Sequence, residues 1–222
     1  MNQASSTKKF ELAAKIRDQI DYINNLARIS PSPELKLPQL QTDINQEKVN
    51  RLRQLLRQFL SLPENYLLSR IEGYDVSNIS GTFATGSMVV FTNAQPIPSS
   101  YRMFKIKKIS RPNDTAMLKQ TLTRRLKNKD WPLPNLIIVD GGKSQLNAAH
   151  SAIKGTIPTM SLAKNPDRLI IKSLNHHSSK KYYLVKLPPT NPATQLLQHI
   201  RDESHRFAKN YHKKLKLKSL KV

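Results

Sequence analysis

Residues 136–145 read LIIVDGGKSQ: four apolar residues, an acid, two glycines and a lysine. A short unbroken apolar run is what a strand buried on both faces requires, as in sheets covered by helices on each side. Asp140 closes that strand. The glycines behind it let the backbone turn sharply into KSQLNAAHSAI, which predicts a helix. In sheets of this type the carboxyl ends of parallel strands carry ligands. An acid at such a place is rarely buried unless it is paired or bound to a cation.

On the N-terminal side of this stretch, RIEGYDVSN, TFATGSMVVFT and YRMFKIKKI predict three strands, the first two joined at SNISG. Residues 113–127 predict a helix with Met117, Leu118, Leu122 and Leu126 facing in. On the C-terminal side, IPTMSLA is a further strand, and RLIIKSL and KYYLVKL flank the polar loop NHHSSK as a hairpin. Residues 192–212 predict a closing helix with Leu196, Leu197, Ile200, Phe207, Ala208 and Tyr211 on its apolar side. A meander followed by helix, strand, helix and strand gives the α/β class, a mixed sheet covered by helices.

A second acid, Asp75, lies in the first predicted strand. If that strand neighbours 136–140, two carboxylates converge, and their repulsion is costly unless a divalent cation lies between them. Oxygen ligands suit Mg²⁺ or Mn²⁺. Taken singly, either aspartate is better explained as a helix cap or turn former. On the closing helix Arg201, His205, Ala208 and His212 lie along one line bordering the apolar stripe, so His205 sits at the edge of the buried face. A histidine there can ligate metal or transfer a proton, although a structural, half-buried role is the ordinary one. His176 and His177 fall in the polar loop and are not expected to be ligands.

Charge narrows the partner. The chain has 37 Lys and Arg against 15 Asp and Glu, a net charge of +22, in 222 residues. Residues 101–129 hold ten basic side chains and one acid, Asp114. Such an excess favours a polyanion, because each neutralised phosphate releases counterions. Nucleic acid comes first and an anionic membrane surface second. The longest apolar runs hold four residues, far short of the ~20 of a membrane span, and the N-terminus has no signal-peptide core. There is no cysteine, which removes disulfides and thiolate metal sites. A cytoplasmic protein with no membrane partner is expected.

The N-terminal part is organised differently. KKFELAAKIRDQIDYINNLA predicts a helix with Ala13, Ile16, Ile20, Ile23 and Ala27 as a narrow apolar seam that needs a partner helix. SPSPELKLP is expected to be a spacer. Residues 46–61 predict a second helix, with Val49, Leu52, Leu55, Leu56, Phe59 and Leu60 on one side. The expected organisation is a helical segment at 1–30, a linker and helix at 31–68, the main domain at 69–212 and a basic tail at 213–222.

IEGYDVSNISG, LIIVDGGKSQLNAA, SLAKNPDR and LLQHIRDESHRFAKNYHKK resemble, in order, the motifs of the endonuclease half of the UvrC family of excinucleases. KKFELAAKIRDQI resembles that family's UVR motif. The resemblance implies an RNase H-like endonuclease fold and a metal-dependent nick in one DNA strand, the 5′ incision beside a lesion in nucleotide excision repair. It implies that Asp75, Asp140 and His205 are the catalytic and metal-binding set, that Asp114 falls on a further important acidic position, and that the UVR-like helix pairs with the excinuclease component UvrB. Lys143, Arg124, Arg125 and Arg206 are candidates for gripping DNA phosphates.

The sequence also departs from the family. Asn78 stands where the family has histidine and Ser144 where it has glycine. The family's GIY-YIG module, cysteine cluster and helix-hairpin-helix pair have no counterpart, so dual incision by this chain alone is not expected. Two other readings remain: a non-catalytic adaptor docking on UvrB, and a nuclease of the same fold acting on another nucleic acid.

Overall fold

The computed structural model of the chain describes residues 16–17, 19–20, 33–79, 83–106, 113–163, 168–173 and 181–219. The turn at 80–82 and the loop carrying His176 and His177 lie outside them. So does the expected N-terminal helix, apart from residues 16–17 and 19–20, which are helical. The chain divides into two units, residues 1–44 and 45–222.

Four long helices and eight strands are described. Helix α1 spans Pro33–Phe59, and β1 (Arg70–Ile79), β2 (Phe83–Thr92), β3 (Gln95–Pro96) and β4 (Arg102–Lys105) follow. Then come α2 (Asp114–Lys127), β5 (Leu136–Asp140), α3 (Lys143–Ala152), β6 (Thr159–Ala163), β7 (Arg168–Lys172), β8 (Tyr182–Val185) and α4 (Pro192–Ser219). Two helices run further than the sequence pattern suggests. The expected spacer at SPSPELKLP is helical from Pro33 onward: a proline in the first turn gives up an N–H that has no partner there in any case. The closing helix passes residue 212 and continues to Ser219.

The strands form one sheet in the order β3-β2-β1-β5-β6-β7-β8, with β4 also paired to β2. β1 is antiparallel to β2 and parallel to β5, and β5 is parallel to β6. This is the mixed α/β sheet expected of the sequence. Leu136, Ile137, Ile138 and Val139 are all at most 2% exposed. Burying each such side chain contributes roughly 1.5–3 kcal/mol, which explains why the central strand is uniformly apolar.

The two faces of β1 are covered by different helices. Glu72 points to α2, where it meets Arg125, whereas Gly73 lies against Ile200 of α4. A Cβ on Gly73 would stand 2.4 Å from Ile200 Cγ2 and 3.0 Å from Val89 Cγ2. Only a residue without a side chain lets α4 pack this closely. Gly73→Ala is therefore expected to cost roughly 1–3 kcal/mol by overpacking, read as a lower urea midpoint; an unchanged midpoint would mean that α4 packs less closely.

Candidate metal and acid–base centre

β1 and β5 are parallel neighbours, with Tyr74 paired to Val139, so Asp75 and Asp140 leave adjacent strands side by side. Asp75 is paired across to Ser87 of β2. Asp140 ends β5, and Gly141 beyond it has φ +129, a conformation that side chains disfavour. Gly141 donates its N–H to Leu162 O, and Gly142 donates to Gln145 Oε1. The sharp turn thus launches α3 at Lys143 while holding the Asp140 carboxylate at the strand end.

α4 brings the third group. Several contacts fix its rotation. Ser87 Oγ donates to Ser204 O at 3.3 Å, the Tyr101 hydroxyl donates to Glu203 Oε1 at 2.9 Å, and the Tyr101 and Phe207 rings pack edge to face. His205, between these anchors, faces both acids. Its Nδ1 is 3.0 Å from Asp75 Oδ2 and its Nε2 is 3.4 Å from Asp140 Oδ2. One ligand atom from each of the three residues lies within 4.8 Å of the others.

The donor set fits a hard divalent cation. Two carboxylate oxygens and an imidazole nitrogen can together hold a divalent cation. Ligands about 2.1 Å from an octahedral ion stand about 3.0 Å apart in adjacent positions and about 4.2 Å apart in opposite ones. One ligand atom from each residue within 4.8 Å of the others is close to the span of one such coordination sphere. Asp140 Oδ1 is buried and has no hydrogen-bond partner among the described residues. Such an acceptor is costly unless a ligand satisfies it.

The other expected site residues fare differently. Asp114 is exposed in the first turn of α2 and outside this group; there an acid complements the helix dipole. Lys143 is exposed at the start of α3, its ammonium 5.3 Å above the Tyr182 ring. Arg124 is exposed, donating to Lys105 O and lying over Phe104. Arg206 is exposed but paired with Glu203 at 2.6 Å. That hydrogen bond leads in holding the Glu203 carboxyl below its usual range, with burial opposing it.

Arg125 is a correction. Expected at the surface against phosphate, it is 1% exposed, and its guanidinium donates to both oxygens of the fully buried Glu72. Its position on the inward stripe of α2, with Leu118, Thr121 and Leu122, decided this. Glu72 also accepts from Arg70 and from the Tyr74 hydroxyl. Burial, then the Glu72 charge, holds the Tyr74 phenol well above its usual range, so it remains a donor. The alternation of β1 was the available signal: Glu72 is three residues from Asp75 and so must face the opposite layer.

His212, seven residues after His205 on the same helix line, is a further position that its spacing alone does not mark. It is 6% exposed, with Nε2 2.6 Å from Ser77 Oγ and 3.1 Å from Thr85 Oγ1. It pins α4 to β1 and β2 two turns beyond His205. Burial pushes its imidazole below the ordinary range, with Asp75 pulling the other way. The unfolded chain therefore binds more protons around and below about pH 6.5. The stability owed to the neutral ring is full above that pH and is lost as pH falls. His212→Asn is expected to be less stable at pH 7 yet to lose less of its urea midpoint between pH 7 and 5 than the unmodified protein. Equal losses would mean that His212 titrates normally.

Residues 57–208 match the family model of the UvrC RNAse H endonuclease domain, and residues 1–26 match that of the UvrB/uvrC motif. UvrABC system protein C of Moorella thermoacetica is 38% identical over 191 residues, covering 81% of this chain and 30% of that protein. The corresponding protein of Methanococcoides burtonii is 40% identical over 174 residues, covering 76% of this chain and 28% of that protein. The chain thus spans under a third of the length of these relatives. Among solved structures, endonuclease V of Streptomyces avermitilis gives a TM-score of 0.46 at 14% identity, covering 84% of this chain and 96% of that one. Ciona intestinalis endonuclease V in complex with a 24mer DNA gives 0.45 at 12% identity, covering 75% and 96%. No described helix is long and apolar enough to cross a membrane.

Proposed function

Because the chain belongs to the UvrC family and carries its RNase H endonuclease domain, we propose that it is a metal-dependent DNA endonuclease of nucleotide excision repair, making the 5′ incision beside a lesion. The observation that carries this reading is the meeting of Asp75, Asp140 and His205 from β1, β5 and α4, with one ligand atom of each within 4.8 Å of the others.

Asp75 and Asp140 would hold one or two Mg²⁺ or Mn²⁺ ions, with His205 as a further ligand or as the group that manages a proton. The cation would supply Lewis-acid polarisation of the scissile phosphodiester and an acidified water. His205 faces Asp75 through Nδ1 and Asp140 through Nε2, and beside these acids its imidazole would take the proton of the attacking water or return one to the leaving oxygen. In the net reaction water adds to phosphorus, one bridging P–O bond breaks, and the departing oxygen is protonated. Lys143 and Arg124 are candidate phosphate contacts, and Asp114 is a candidate accessory acid. The UVR-like segment at 1–30 would dock on UvrB, and the protein would act in the cytoplasm.

The test is a strand-specific nicking assay on a duplex carrying one lesion, with UvrB supplied and Mn²⁺ or EDTA present. A Mn²⁺-dependent cut confined to the 5′ side is expected. DNA binding without cleavage in any metal would leave an adaptor and defeat the enzyme reading.

A further inference from the structure

The acid–histidine centre lies under α4, and a cluster of exposed cations stands on the opposite face of the sheet. α2 buries Met117, Leu118, Thr121, Leu122 and Arg125. Its outward stripe therefore carries Lys119, Arg124 and Lys127, all exposed, and exposed Lys129 follows. Arg124 Nη1 donates to the backbone oxygen of Lys105, which joins this stripe to exposed Lys105 at the end of β4. The result is five exposed cations on one continuous surface, against the exposed acids Asp114 and Asp130.

The aromatic groups of this surface point to what it takes. Phe104 is buried under Arg124, and Trp131 has the Arg102 and Arg125 guanidiniums over its ring at 5.0 and 5.7 Å. The rings carry arginines of this chain instead of offering open faces to unstacked bases, as single-strand platforms do. Charge alone remains, and charge matched to a backbone binds without reading sequence. Along the sheet Asp75 pairs with Ser87 and Ser87 with Met103, so two strand spacings, about 10 Å, separate β1 from β4. α2 covers the face opposite α4, so its cations stand apart from the acids and not beside them.

We propose that α2 and β4, through Lys105, Lys119, Arg124, Lys127 and Lys129, form a second duplex-backbone surface that grips phosphates away from the cut. This deepens the nuclease reading, on which it rests for the identity of the polyanion.

The experiment compares Lys119→Gln/Lys127→Gln/Lys129→Gln with a control of equal charge, Lys154→Gln/Lys181→Gln/Lys186→Gln, all exposed lysines elsewhere. Binding to an undamaged labelled duplex is measured in EDTA over a salt series, with circular dichroism to verify folding. Losing three phosphate contacts should reduce the slope of log K against log salt by about 2.7 and weaken binding about tenfold or more near physiological salt. The control should keep most of the slope. Equal slopes in the two variants overturn the proposal, as does a patch variant that binds duplex like the unmodified protein, whatever either does on anionic vesicles. Because binding is read without metal, failure of the nuclease reading is separate: it shows as absent nicking by a protein that still binds.

Discussion

Asp140→Asn is expected to remove Mn²⁺-dependent nicking, by well over a hundredfold, while leaving the fold and duplex binding in EDTA intact. Loss of a group that merely supports a metal ligand already costs 10- to 100-fold. Asp140 supplies a ligand oxygen directly in the proposed site, and its Oδ1 has no other partner to lose among the described residues. Asparagine preserves shape and removes the charge, so the effect isolates electrostatics. A second readout needs no substrate. A cation that binds only the folded state stabilises it by about 2.7 kcal/mol at a hundred times its dissociation constant. Mn²⁺ should therefore raise the melting temperature of the unmodified protein and leave that of Asp140→Asn nearly still. A variant that cuts as before, or that gains the same Mn²⁺ stabilisation, would remove Asp140 from the site.

Glu72→Ala is expected to be the more damaging change to stability, about 3–5 kcal/mol, because it strands the buried Arg125 charge. Domains of this kind are stable by only about 5–15 kcal/mol, so the variant should unfold at a much lower urea concentration and express poorly. The loss would come from an uncompensated charge more than from any net strength of the pair. Glu72→Leu with Arg125→Met should therefore recover most of it, since replacing a whole buried pair by apolar groups is often close to neutral. Arg70, with its side chain 16% exposed, can turn to solvent, whereas Tyr74 would lose its acceptor; full recovery is not expected. If Glu72→Ala costs under about 1 kcal/mol, Arg125 reaches water in solution and the described burial is wrong.

Much of this was legible in the residues themselves. LIIVD was legible as a buried strand, because four apolar residues in a row leave no solvated face, and the glycines behind it mark a turn. Its terminal acid marked a ligand-bearing strand end. The inward stripes of α2 and α4 followed from helical spacing. What spacing could not supply was the meaning of a charged residue on a buried stripe. Arg125 and Arg124 are adjacent in sequence, and only the rotation of α2 against β1 made one a buried ion-pair partner and the other a surface cation.

The helix limits show the same division. SPSPELKLP looks like a break, since proline disfavours a helix, yet from Pro33 onward that bias is overridden and the residues are helical. By itself, then, the sequence determined the elements, their apolar faces and three residues able to hold a cation, because these depend on local periodicity and side-chain chemistry. Only the tertiary structure decided that Asp75, Asp140 and His205 meet, that Arg125 is buried, and that His212 and Gly73 hold α4 in place. Those outcomes depend on which strands pair and how closely a helix approaches them, and contacts between residues as much as 135 positions apart leave no mark in local spacing.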